Sequence, residues 1–105
     1  MKDYFTEAEI KAGSEMAAAM RDVVLERLRQ NKKWGEQNHG LTDWSAILTE
    51  ECGEFAEAAL GVLFQDGETP QRAASLADAR KEAIHCAAVA LAIIECIDRH
   101  AQPTS

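Results

Sequence analysis

Four glutamates, Glu50, Glu51, Glu54 and Glu57, stand in the stretch from Leu48 to Leu60, LTEECGEFAEAAL. Wound as a helix at about 100° per residue, they fall within an arc of roughly 120° and form one acidic face. Leu48, Cys52, Phe55, Ala59, Val62 and Leu63 gather on the other side, the apolar stripe a helix needs to dock on a core. A solvated helix face usually interleaves basic residues, because like charges at i,i+4 cost roughly 0.2–0.5 kcal/mol per pair. No Lys or Arg occurs between Trp34 and Gln71, whereas Glu36, Asp43, Glu50, Glu51, Glu54, Glu57, Asp66 and Glu68 all do. Carboxylates clustered without a protein counter-charge suit a hard divalent cation such as Mg2+ or Mn2+. Spacing alone leaves that reading level with a plain acidic surface.

The elements that must hold these groups are helices. The chain has 105 residues, 47% of them hydrophobic but only 6% aromatic, and it is rich in alanine, a composition that suits closely approaching helices rather than sheets. One all-α domain spanning residues 1–105 is expected, a bundle of three to four helices. A chain this short buries only about two thirds of its unfolded surface, so its core is expected to be completed by a second subunit.

The formal charge of −7 and pI of 4.9 argue against nucleic acid as a partner, because binding a phosphate backbone calls for a basic footprint. They leave room for a single nucleotide held through a metal ion, which reverses the local sign. Cys52, Cys86 and Cys96 show no CxxC spacing and read as reduced thiols packed as small hydrophobes. The opening MKDYFTEAEI lacks the apolar core of a signal peptide, and the most apolar run, Ala87 to Ile94, is far short of the roughly 20 residues that span a bilayer. A soluble cytoplasmic protein with no membrane partner is expected.

Thr6 is placed to cap a first helix, with Glu7 and Glu9 in its opening turn. Ile10, Ala17, Met20, Val24 and Leu28, widened by Met16 and Val23, form its stripe to about Asn31. Arg21, Arg27, Arg29, Lys32 and Lys33 gather toward its C-terminal half, either as dipole compensation or as one or two cations that reach a phosphate. The segment from Asn31 to Leu41, NKKWGEQNHGL, reads as a loop. Trp34 in it is either a lid on the core or, with Asn38 and His39, a platform that stacks on and hydrogen-bonds a nucleobase.

Thr42 or Asp43 is expected to cap the second helix, which continues to about Phe64 and ends in an Asp66-Gly67 turn. Thr69-Pro70 opens the last helical segment, either continuous to about His100 or broken near residues 74–76, and Pro103 closes the chain. Asp78, Glu82 and His85 share a face at i, i+4, i+7. From Ala83 to Ile97 the helix is apolar nearly all round, with Glu95 the sole charge, so it is expected to be buried on every side. One flank covers the other helices and the opposite flank needs another copy, which points to a homodimer or a dimer of dimers.

These residues together resemble a family. Glu50-Glu51-x-x-Glu54 on one helix, followed by Glu82-x-x-His85 on the next, is similar to the motif pair of the MazG-like all-α nucleoside triphosphate pyrophosphohydrolases, a superfamily that includes dimeric dUTPases and dCTP pyrophosphatases. The resemblance runs from the KWGEQNHG loop through EAIHCAAVALAIIE and is nearest to short phage- or mobile-element-type members. It implies hydrolysis of a nucleoside triphosphate to the monophosphate and pyrophosphate, cleaning the nucleotide pool. It assigns Mg2+, or Mn2+, to Glu51, Glu54 and Glu82 with His85 in the fourth position. Glu50 would position or deprotonate the attacking water. Trp34, Asn38 and His39 would contact base or sugar, and Lys33, Arg72 or Lys81 phosphate.

The family's Glu-x-x-Asp here reads Glu82-x-x-His85. An imidazole ligand moves metal preference toward Mn2+, Fe2+ or Zn2+. Alternatively His85 bonds a metal-bound water while Asp78 supplies the missing carboxylate, or the site binds nucleotide without useful turnover. Two further readings stand beside the enzyme. One is a helical oligomer whose acidic face is a structural, docking or nucleotide-sensing surface. The other is a ferritin-like metal protein built on Glu-x-x-His.

Overall fold

A computed structural model describes residues 4–65 and 67–101, and every regular element among them is an α-helix. They are α1 (Glu7–Trp34), α2 (Leu41–Leu63) and α3 (Pro70–Ala101). Asp66, expected in the turn after α2, and the tail containing Pro103 lie outside the described residues.

Local chemistry sets the helix ends. Thr6 Oγ1 accepts the Glu9 backbone N–H at 3.1 Å, and Glu9 Oε1 accepts the Thr6 N–H at 3.0 Å, a reciprocal capping box. The first helix runs one turn further than expected, to Trp34. Nothing in NKKW breaks it before Gly35, whose φ of 72° a side chain would strain and whose N–H donates to the Asn31 carbonyl at 2.8 Å. Trp34 is therefore a helical residue, not a loop residue. The second helix opens on Gly40 without a side-chain cap, so Thr42 and Asp43 sit in its first turn instead of capping it. Asp43 is favourable there because it faces the positive end of the helix dipole. Thr69 Oγ1 accepts the Arg72 N–H at 3.1 Å, Pro70 starts the third helix, and the alanine-rich segment carries it through residues 74–76 without a break.

The third helix is the middle element. Helices α1 and α2 both pack on it and not on each other, which gives an open molecule of 59 × 42 × 23 Å. The small core comprises Trp44, Ala88, Val89 and Cys96, with Ile47, Leu48, Ala92 and Ile93 packed against the cluster of Trp44, Val89 and Cys96. The apolar run on α3 is not buried on every side within one chain, since Ile94 and Ile97 remain about half exposed. On α2, Leu48, Ala59 and Val62 are partly covered, whereas Cys52, Phe55 and Leu63 are exposed. Among the described residues, no helix is long and apolar enough to cross a membrane.

Candidate functional site

The acidic face of α2 resolves into unlike members once α3 packs against it. Glu51 turns toward α3, where Glu82 and His85 occupy successive turns of one face. Each offers one ligand atom, and those atoms all lie within 4.8 Å of one another. His85 Nδ1 is 3.3 Å from Glu82 Oε2, a charge-pair distance that does not make a hydrogen bond. Glu51 Oε2 and Glu82 Oε2 are both buried without a hydrogen-bond partner. Burial pushes the Glu51 carboxyl above its ordinary range, as does repulsion from Glu54, Glu82 and Glu50, while His85 opposes the shift. A buried carboxylate oxygen left unpaired costs about 1–3 kcal/mol or more, and two in one cluster carry a deficit that a cation would offset. The residues fit a divalent ion, and the single imidazole favours Mn2+ or Zn2+ over Mg2+.

A groove of about 710 Å³ runs between α1 and α2, with α3 as its floor. Glu51, Glu54 and His85 line it near the cluster, and Trp34, His39 and Arg99 line it farther along. On the axis of α3, His85 and Arg99 are about four turns or 20 Å apart. Trp34 is 57% exposed and available on one face, and Lys33 Nζ lies 4.7 Å from its ring centroid. His39 meets Trp44 edge-on, with centroids 4.7 Å apart.

Other expected residues lie elsewhere. Glu50 is exposed and does not line the groove. Asn38 is engaged on α3: its Oδ1 accepts from Arg99 Nη2 at 2.9 Å and Nε at 3.3 Å, fastening the connection to that helix. Asp78 is exposed and outside the cluster. Lys81 borders a smaller groove of about 400 Å³ on the other side of His85, together with Arg29 and Arg80. Arg72 and Lys33 line neither groove.

Two site residues were not singled out from the sequence. Glu26 of α1 approaches the cluster, its Oε2 3.8 Å from His85 Nε2, and with His85 it walls both grooves. In the sequence it is one charge among several and pairs locally with Arg29. Trp44 is 2% exposed, lines the main groove and has its indole N–H unpaired. No match to this chain was found among protein-family models, curated proteins or solved structures.

Proposed function

We propose that this chain is a divalent-metal-dependent nucleoside triphosphate pyrophosphohydrolase of MazG-like architecture, releasing the monophosphate and pyrophosphate. The observation that carries this reading is the convergence of Glu51, Glu82 and His85, with two orphaned carboxylate oxygens, beside a groove that also holds Trp34. The groove's volume falls in the range of about 300–1,000 Å³ typical of small-molecule sites. Glu51, Glu82 and His85 would hold the cation, which supplies neutralising charge to the phosphates. Trp34 offers a flat face for the base.

Hydrolysis joins the oxygen of water to the α-phosphorus as the bond from that phosphorus to the bridging oxygen breaks, and pyrophosphate leaves. The water gives up a proton. Glu54 and Glu50 are both exposed, but only Glu54 lines the groove while standing outside the three-ligand cluster, which favours it over Glu50 as the acceptor of that proton.

The assembly is a homodimer in this reading, with a dimer of dimers as its extension. A compact monomer of this mass exposes about 5,800 Å², whereas this chain exposes 8216 Å². The surplus, on the order of 2,000 Å² per protomer, matches what an obligate homodimer covers. Met16, Met20, Val24 and Leu28 make an exposed stripe along α1 that a second copy would bury.

The test is pyrophosphate release from a panel of ribo- and deoxynucleoside triphosphates with Mg2+ and with Mn2+. Release with the matching monophosphate supports the reading, and silence across the panel from folded dimer removes it. A nucleotide-binding oligomer without turnover is the second reading. It is favoured by the position of Glu50, away from the groove, where the family resemblance assigns the base.

A further inference from the structure

Glu26 lies where no motif places a functional residue, on α1 and across from the two glutamates of the candidate metal cluster. Its side chain is only 15% exposed. Arg29 Nε donates to its Oε1 at 2.9 Å, and Gln30 Nε2 donates to its Oε2 at 3.4 Å. Those two bonds hold the carboxylate beside the ring, with Oε2 3.8 Å from His85 Nε2 and short of hydrogen-bond contact, while the other ring nitrogen, Nδ1, is 3.3 Å from Glu82. The imidazole is thus bracketed by carboxylates on both of its nitrogens. One nitrogen faces the ligand cluster and the other faces away from it toward α1.

A neutral imidazole has one N–H donor and one lone pair, so the partner of the first nitrogen selects which nitrogen is left to bind a cation. We propose that Glu26 is the positioning residue of the site: its Oε2, 3.8 Å from His85 Nε2 in the metal-free chain, closes to hydrogen-bond distance and accepts the Nε2–H when a cation is bound, so that Nδ1 presents its lone pair to a cation shared with Glu51 and Glu82. The inference rests on the metal-centre reading above and adds to it a carboxylate from the one helix that supplies no ligand. Glu26 and His85 together form the wall between the main groove and the smaller basic groove. Holding the ring therefore also holds that wall. Outer carboxylates of this kind raise the basicity of a histidine ligand, and losing one weakens a metal site by about 10–100-fold.

The test uses the full chain and the metal ions alone. Calorimetric titration with Mn2+ and Zn2+ is run on wild type, Glu26→Gln, Glu26→Asp and Glu82→Gln, with circular dichroism as the check on folding. Nitrogen-15 NMR of the His85 ring is recorded with and without Zn2+. The expected result is binding by wild type, a loss of about 10–100-fold in Glu26→Gln, partial recovery in Glu26→Asp, and a wild-type ring held as the Nε2–H tautomer whose Nδ1 shifts on adding Zn2+. A merely structural Glu26 would leave the tautomer unmoved. Equal affinity and an unchanged tautomer in Glu26→Gln overturn the positioning role while the metal centre stands. No metal uptake by folded wild type removes the metal centre and the positioning role together.

Discussion

Arg27 of α1 directs two nitrogens at one oxygen of Glu95 on α3, with Nη2 at 2.7 Å and Nε at 2.8 Å from Oε2. The Arg27 side chain is 11% exposed and that of Glu95 41%, so the pair is partly shielded from water. Because α1 makes no contact with α2, this ion pair is a main polar tie of α1 to the rest of the chain. Arg27→Ala leaves Glu95 without its partner. It is expected to lower stability by about 1–2 kcal/mol, between the worth of an exposed pair and the cost of breaking a buried one. Urea unfolding followed by circular dichroism measures this, and an unchanged midpoint would show that the pair contributes nothing.

Glu82 and Glu54 are expected to fail differently. Glu82→Gln removes a proposed ligand and should lose both metal uptake and turnover. Glu54→Gln should keep metal affinity within a few-fold yet lose turnover by about 10²–10⁴-fold, the usual contribution of a positioned proton acceptor. Parallel titration and pyrophosphate-release assays separate the two. Full turnover in Glu54→Gln would return the base role to another residue.

His85→Asp replaces the proposed nitrogen ligand by oxygen. The expected outcome is a rise in activity with Mg2+ relative to Mn2+, since Mg2+ favours an all-oxygen set. The ratio of rates with the two metals is the readout. A ratio no different from wild type means that His85 does not touch the ion.

Glu51→Gln should raise the melting temperature of metal-free protein. Burial and its acidic neighbours hold the Glu51 carboxyl above its ordinary range, so at neutral pH its charge costs stability in the folded state. Divalent ions should stabilise wild type and leave the variant nearly unaffected. Thermal melts with and without Mn2+ test both halves. Equal metal stabilisation of the two proteins would place the ion elsewhere.

Met20→Glu combined with Val24→Glu puts two charges into the exposed stripe of α1 while altering no core contact, since both side chains are exposed. Light scattering after size exclusion should read dimer for wild type and monomer for the variant. A wild type that runs as a monomer at micromolar concentration dismisses the second copy.

The sequence by itself determined the helices and most of their ends. Thr6 with Glu9 and Thr69-Pro70 act through bonds to residues within one turn, and such local chemistry needs no tertiary context, whereas α1 ends at its Gly35 cap, one turn beyond the expected Asn31. Helical spacing likewise put Glu51 on the acidic arc and Glu82 and His85 on one face, and the family resemblance pointed to them, with Glu54, as candidate ligands. Which of four glutamates on an arc of roughly 120° turns inward was decided by the packing of α2 on α3, a direction that no periodicity encodes. The cross-helix contacts of Glu26 and Arg27 exist only in three dimensions. Both look like ordinary charges of an amphipathic helix, and their partners His85 and Glu95 lie on a different helix, brought near only by the docking of α1 on α3. The apolar run on α3 announced burial on every side, but one chain covers only part of it, because three helices arranged as two flanks on a central rod cannot surround that rod.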